Sequence, residues 1–334
     1  MSIRRRFGFE TADVRRWVRP LADVAALGMF LVVLMGATVT DTGSAAGCGR
    51  SWPLCHGQFI PRFAIATLIE FSHRLVTGLE GMLIFALTVA VLLIWKRRDM
   101  RVLAAAMLIT LFLQSGMGAA AVMWPQSPAV LALHLGISLI AFASVALTAL
   151  SIRYDGDLRR LRREATSAGF RLAVWGVTIY TYLAVYSGAY VRHAGASLAC
   201  LDWPSCNGAT WLAFGGLTGV VVIHRIVAFG VFLVVLGLAG WSYRLKQTRP
   251  DLYRGSVTAL ALVVLQGLAG GLIVLTRVDL LTTLAHTGIV ALLFASLCFL
   301  CRQTLVGDDV KEAERSTAPI RPVSDVQSGD LIRQ

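Results

Sequence analysis

Four of the six histidines in this 334-residue chain, His73, His134, His224 and His286, lie inside long apolar stretches. A lone histidine in such a place is ordinarily a hydrogen-bonded packing residue. Four in two matched pairs are another matter, because ionisable groups in a membrane span are costly and mark function. Two histidines from facing helices supply both axial ligands of a porphyrin iron. Zinc asks for a third ligand from His, Cys or carboxylate. The pairs therefore point to haem, and the lack of any Cys-x-x-Cys-His excludes covalent attachment. Arg74 and Arg225 each follow a ligand candidate, where they can pair with haem propionates or snorkel to the interface.

The pairs differ in one informative place. Glu70 stands three residues before His73, on the same face if the stretch is helical, whereas Val221 stands three before His224. The expectation is that the pocket beside Glu70 does chemistry and the other holds a permanent cofactor. The plainer alternative is an interfacial carboxylate. Glu80, two helical turns past His73, also lacks an acidic counterpart (Val231) and reads as a propionate-side or proton-handling group ranked below Glu70. Cys48 and Cys55, then Cys200 and Cys206, are spaced for two intraloop disulfides in an oxidising compartment. Each is either a loop staple, worth about 2–3 kcal/mol, or a redox pair that exchanges with a thiol donor. Cys298 and Cys301 read as buried inert thiols. Asp41 and His193 read as loop residues.

The elements that must position these groups are membrane spans. The chain is 56% hydrophobic and only 15% charged, with mean hydropathy +0.69, against about 25% charged in a soluble domain. Eight segments are long enough to cross a bilayer: 21–40, 63–95, 102–124, 128–151, 171–191, 209–243, 254–276 and 280–301. Segments two and six are overlong and are expected to begin as interfacial turns. Most of the 31 basic residues fall in the N-terminal tail, in the loops after spans two, four and six, and in the C-terminal tail. The positive-inside rule places that side, and both termini, in the cytoplasm. The net charge of +12 then faces anionic lipid, not nucleic acid. A cleaved signal peptide over 1–46 would leave seven spans and break the repeat described next.

The halves repeat at an offset of 151 to 152 residues. Gly36-Ala37 matches Gly188-Ala189, Trp52-Pro53-Leu54-Cys55 matches Trp203-Pro204-Ser205-Cys206, His73-Arg74 matches His224-Arg225, and Gln114 and His134 match Gln266 and His286. With four spans each, both halves insert the same way up, related by an axis along the membrane normal. The fold class expected is an all-α membrane protein of two repeated four-helix bundles, over 21–151 and 171–302. A cytoplasmic tail over 1–20, a linker over 152–170 and a polar tail over 303–334 complete the chain. Each bundle can aim two imidazoles at one another near the outer face.

Eight spans, Cys-Gly-x-Ser-Trp-Pro-Leu-Cys-x-Gly at 48–57, Glu-Phe-Ser-His-Arg at 70–74 and four matched histidines together resemble the haem A synthase family over roughly 21–301. That family oxidises the C8 methyl of haem O to a formyl group, making haem A for terminal oxidases. The resemblance implies substrate haem O between His73 and His134, with Glu70 assisting at the reacting methyl. It implies haem b between His224 and His286 as an electron-transfer cofactor, and disulfides Cys48–Cys55 and Cys200–Cys206. The setting it implies is the bacterial cytoplasmic membrane, with haem sites toward the outer face. A haem O-producing prenyl transferase is a partner on the same ground only. Glu80 matches no position of the family pattern and inherits no role.

Three competing readings use other residues. A membrane di-haem cytochrome b explains the histidines but leaves Glu70 unused. A transmembrane thiol oxidoreductase needs the outer cysteines to cycle. A transporter is suggested by the repeat alone. The electron-transfer partner, the oxygen source and any homo-oligomer leave no trace in the sequence.

Overall fold

The computed structural model describes residues 11–60, 64–161, 165–208 and 214–305. Among these, regular structure is helical, apart from one isolated bridge between Cys55 and Gln58. The long helices are α1 (Thr11–Asp41), α2 (Ile65–Ile94), α3 (Arg98–Met123), α4 (Pro128–Leu161), α5 (Ala168–His193), α6 (Gly216–Ser242), α7 (Pro250–Leu275) and α8 (Leu280–Gln303). All eight are long and apolar enough to cross a membrane. Large apolar side chains such as Leu27, Leu93, Leu172 and Leu281 stand exposed along them, as a lipid-facing surface requires.

Helix starts follow local chemistry. Ser167 accepts from the Phe170 amide at 3.2 Å to cap α5, and Asp279 accepts from the Leu281 and Thr282 amides to cap α8. Proline occupies the first residue of α7, where it gives up no helical hydrogen bond.

Boundaries differ from the expected spans in instructive ways. Helix α1 begins at Thr11, ten residues before the apolar run, and passes through Pro20. Helix α4 continues ten residues past 151, with a break from helical geometry at Tyr154. Hydropathy marks where a span is greasy, while helical hydrogen bonding continues into charged sequence at no cost in water. Helix α2 is one continuous helix from Ile65, so residues 65 onward do not form the interfacial turn expected there. The expected starts at 63 and 209, and the tail beyond Leu305, lie outside the described residues.

Helices α1 to α4 pack around one another, with α1 against α2 and α4, and α3 against α2 and α4. Helices α5 to α8 make the corresponding contacts, and α1, α4, α5 and α8 meet along a seam. Aromatic pairs fill its flanks, Phe30 with Phe142 at 5.5 Å and Tyr182 with Phe294 at 5.6 Å between ring centroids. Between lipid-embedded helices burial of apolar surface gives little drive, so close packing and polar contacts must hold them. At the end where α8 finishes, buried Arg249 donates to Asp251 and to the Gln303 carbonyl at 2.6 Å, and Gln303 Nε2 donates to Asp251 at 3.0 Å. Arg302 of α8 reaches across to Asp99 of α3 at 2.8 Å. At the other end Asp41 and Arg192 pair at 2.7 Å. Both Asp41 and His193 close helices and are not loop residues, contrary to the expectation, because α1 and α5 each run on to meet at the seam.

Candidate functional site

The four histidines sit at matched depths, His73 and His224 nine residues into α2 and α6, His134 and His286 seven residues into α4 and α8. All four line one cavity of about 1700 Å³, together with Glu70, Arg74 and Arg225. A pocket for one organic ligand is typically about 300–1,000 Å³, so this volume suits two. The spaces beside the two histidine pairs join through the seam into this one cavity. Gly36 and Ala37 of α1 and Gly188 and Ala189 of α5 line it there, and side chains this small leave the passage open.

Each imidazole rests against a glycine of the preceding helix. A Cβ built on Gly36 would lie 3.4 Å from Cε1 of His73, on Gly118 3.8 Å from that of His134, on Gly188 2.7 Å from that of His224, and on Gly270 3.2 Å from that of His286. Sequence reasoning paired Gly36 with Gly188 as a repeat match and missed why glycine stands there. The signal was present: the glycines recur at the same 152-residue offset as His134 and His286. Gly188→Ala is expected to push the His224 ring aside and strip haem from the second pair, while Gly36→Ala, in ordinary contact at 3.4 Å, keeps its site. Haem content per chain, compared between the two variants, checks this.

The donor set fits haem. Nδ1 of His73 and of His134 is buried with no hydrogen-bond partner among the described residues, so no contact of that nitrogen holds these two rings for a purely structural purpose. His224 is tethered instead, its Nδ1 lying 2.9 Å from Ser187 Oγ. Ser187 donates its single hydrogen to the Ala184 carbonyl at 2.7 Å, so toward His224 it accepts. The proton is therefore on Nδ1, and the Nε2 lone pair is free for a metal. The repeat counterpart of Ser187 is Met35, whose thioether is only a weak acceptor. Removing such an outer partner weakens metal binding by about 10–100-fold. Ser187→Ala is expected to lower haem retention at the second pair within that range, as read by haem transfer to apomyoglobin.

Glu70 is 3% exposed and held at both oxygens. Oε2 accepts from the Cys48 amide at 2.7 Å, and Oε1 accepts from Arg74 Nη2. Arg74 Nη1 in turn donates to the carbonyls of Ser51 at 2.7 Å and Leu54 at 3.0 Å. The carboxylate thus latches the loop that holds Cys48 to α2. In the second half Arg225 Nη1 likewise donates to the carbonyls of Ser205 and Pro204. With Val221 in place of Glu70, its Nη2 is buried without a partner among the described residues.

Disulfides Cys48–Cys55 and Cys200–Cys206, with Cα separations of 4.6 and 4.7 Å, close the two loops. Each loop carries a cis Trp-Pro bond and a left-handed residue after its second cysteine, His56 or Asn207. Trp52, Pro53, Trp203 and Pro204 line the cavity, so the loops form its roof. Cys301 is buried and lies 3.1 Å from the Thr178 hydroxyl, and Cys298 is half-buried on the same helix.

With this geometry in view, comparison with known proteins is decisive. A family model described as cytochrome oxidase assembly protein matches residues 61–298. A haem A synthase of Symbiobacterium thermophilum is 42% identical over 296 residues, covering 85% of this chain and 94% of its own. Haem A synthases of Bacillus cereus and Bacillus anthracis are 41% identical over 295 residues, 86% of this chain and 93% of theirs. The chain belongs to the haem A synthase family. For a haem A synthase family member, the site residues expected from sequence are brought together: the four histidines, Glu70 and both arginines line a single cavity under two disulfide-closed loops. His193 and Trp203 join them, and only the tertiary structure reveals their part in the lining.

Proposed function

We propose that this chain is a haem A synthase, an oxidoreductase that converts the C8 methyl of haem O to the formyl group of haem A for terminal oxidases. The observation that carries this reading is the asymmetry of two otherwise matched histidine pairs. One has a buried, doubly held carboxylate beside it; the other has none.

His73 and His134 hold the substrate haem, and His224 and His286 hold haem b. When bound, haem b supplies one-electron redox chemistry. The Ser187 tether on His224 suits a resident cofactor, and the untethered His73 suits a substrate that must leave as product. Glu70 is kept as an oriented carboxylate by the Cys48 amide and the Arg74 charge. An ionised carboxylate has about four lone-pair sites, so two contacts leave capacity to take a proton at the reacting carbon. Arg74 is committed to Glu70 and to loop carbonyls. Arg225, with an unpartnered Nη2, is therefore the better propionate partner, on the haem b side.

In this reading the halves 21–151 and 171–302 carry the substrate and cofactor pockets, related by an axis along the membrane normal. Both termini face the cytoplasm of a bacterial inner membrane, and the haem sites lie toward the outer face. The Lys and Arg bias of the loops supports that orientation. A prenyl transferase that makes haem O is a natural neighbour, since the substrate is too apolar to cross water freely. The test is acid–acetone extraction of the purified protein, with haems identified by mass. Haem b together with haem O, its hydroxylated form or haem A is expected. Haem b alone at two per chain would favour an electron carrier, and no haem at all would return the outer cysteines to first place.

A further inference from the structure

Glu70, His73 and Arg74 of α2 are used by the site above; Glu80 is not. It is 3% exposed, inside a membrane-crossing helix, and its Oε1 has no hydrogen-bond partner among the described residues. Oε2 lies against α1, where only glycine leaves room: a Cβ on Gly28 would come within 2.0 Å of it. A carboxyl so placed is carried as the neutral acid, because ionisation would strip its hydration with no partner to replace it.

Beside Glu80 is a cavity of about 10 Å³, lined also by Thr77, Thr110, Gln114 and Ser115. That is about the smallest volume that holds one water. The required partners converge there. Glu80 Oε1 and Gln114 Oε1 are two buried acceptors without donors, and Ser115 and Thr110 bring hydroxyls. Thr77, Gln114 and Ser115 line the large cavity as well, so the two spaces share a wall. The polar groups in that wall connect to the histidine helices: Gln114 Nε2 donates to Ser138 Oγ at 2.6 Å, Ser138 donates to the His134 carbonyl at 2.8 Å, and Thr77 donates to the His73 carbonyl at 2.7 Å.

The second half lacks this chemistry. At the repeat offset Thr77 becomes Ala228, Glu80 becomes Val231, Thr110 becomes Leu262 and Ser115 becomes Gly267, while Gln114 is matched by Gln266. A packing role shared by both halves gives no reason for polar groups in one and apolar groups in the other.

We propose that Glu80 is a proton-relay carboxyl for the N-terminal pocket, connected to it by one water held between Glu80 Oε1 and Gln114 Oε1. The inference rests on the reading that methyl oxidation, which releases protons, takes place in that pocket. When the pocket takes a proton from the water, the O–H bond of the Glu80 carboxyl breaks and its proton makes good the bond the water has lost. When the pocket releases a proton, the same two transfers run in reverse, an O–H bond forming on Glu80 again. Over the pair of steps one proton is lent and returned, and water and carboxyl are both neutral again.

Infrared spectroscopy of the detergent-solubilised protein in H₂O and D₂O tests the carboxyl directly. The expected result is a protonated-carboxyl carbonyl band that shifts in D₂O and is missing from Glu80→Gln. A band that is absent, unshifted in D₂O or retained in Glu80→Gln overturns the proposal. Turnover tests its use: Glu80→Gln and Thr110→Leu, the latter copying the second half, are each expected to slow formyl production at least about tenfold with haem content unchanged. Thr110→Leu is also expected to enlarge the solvent isotope effect. Wild-type turnover in either variant overturns the relay, and Thr110→Leu decides alone should Glu80→Gln fail to fold. The infrared arm needs no substrate, so a failure of the haem O reading is seen separately, as absence of haem O and haem A from the extracted protein.

Discussion

Glu70→Ala is expected to yield a chain that still carries haem but makes no formyl product, with the rate of methyl oxidation down by about 10²–10⁴. All four histidines remain in that variant, so haem binding should persist. What is lost is the carboxylate that faces the cavity from between the Cys48 amide and Arg74. Because Glu70 also latches the Cys48–Cys55 loop, a second variant separates position from chemistry. Glu70→Gln can still accept from the Cys48 amide and keep the loop in place, but it is a far poorer proton acceptor. Both variants should therefore fail at the chemical step. Mass analysis of extracted haems, with the visible spectrum as a control for binding, reads the outcome. Full activity in Glu70→Ala would sink the assignment, and activity in Glu70→Gln alone would reduce Glu70 to a loop latch.

His224→Ala is expected to deplete haem b, with affinity weaker by on the order of 100-fold or more, given that loss of an outer partner alone costs about 10–100-fold. Its Nδ1 lies 2.9 Å from Ser187 Oγ, a hydrogen bond on the side of the ring opposite the Nε2 lone pair that would take the metal. The matching change His73→Ala should leave the haem b spectrum intact and abolish retention of haem O. The two variants together test which pair holds which haem. An unchanged haem spectrum in His224→Ala would contradict the placement, and loss of haem b in His73→Ala would reverse it.

Much of the site was legible because its logic is written in local spacing. Glu70, His73 and Arg74 fall within one helical turn or so, and a helix brings residues three and four apart onto one face. Internal duplication then made the exceptional position visible, since Glu70 against Val221 stands out only when the halves are laid over each other. Sequence left Arg74 and Arg225 evenly divided between a propionate contact and snorkelling to the interface; in the structure Arg74 is engaged by Glu70 and two loop carbonyls, while Arg225 Nη2 has no partner among the described residues. The cis Trp-Pro bonds and the left-handed His56 and Asn207 left no signal that local rules could read.

By itself, the sequence determined that this is an eight-span membrane protein with four matched histidines, two cysteine-closed loops and one pocket marked by an acid. Hydropathy, charge bias and repeat offset are properties of the chain read in order, so they survive without coordinates. Only the tertiary structure decided that both histidine pairs open into one cavity, that glycines of α1, α3, α5 and α7 seat the four rings, that Asp41 is tied to Arg192 across the seam, and that Ser187 orients His224. These are contacts between different helices, and one of them, Asp41 to Arg192, joins residues 151 positions apart. In a bilayer, where hydrophobicity scarcely distinguishes one helix partner from another, close packing and a few hydrogen bonds choose the partners, and those choices exist only once the chain is folded.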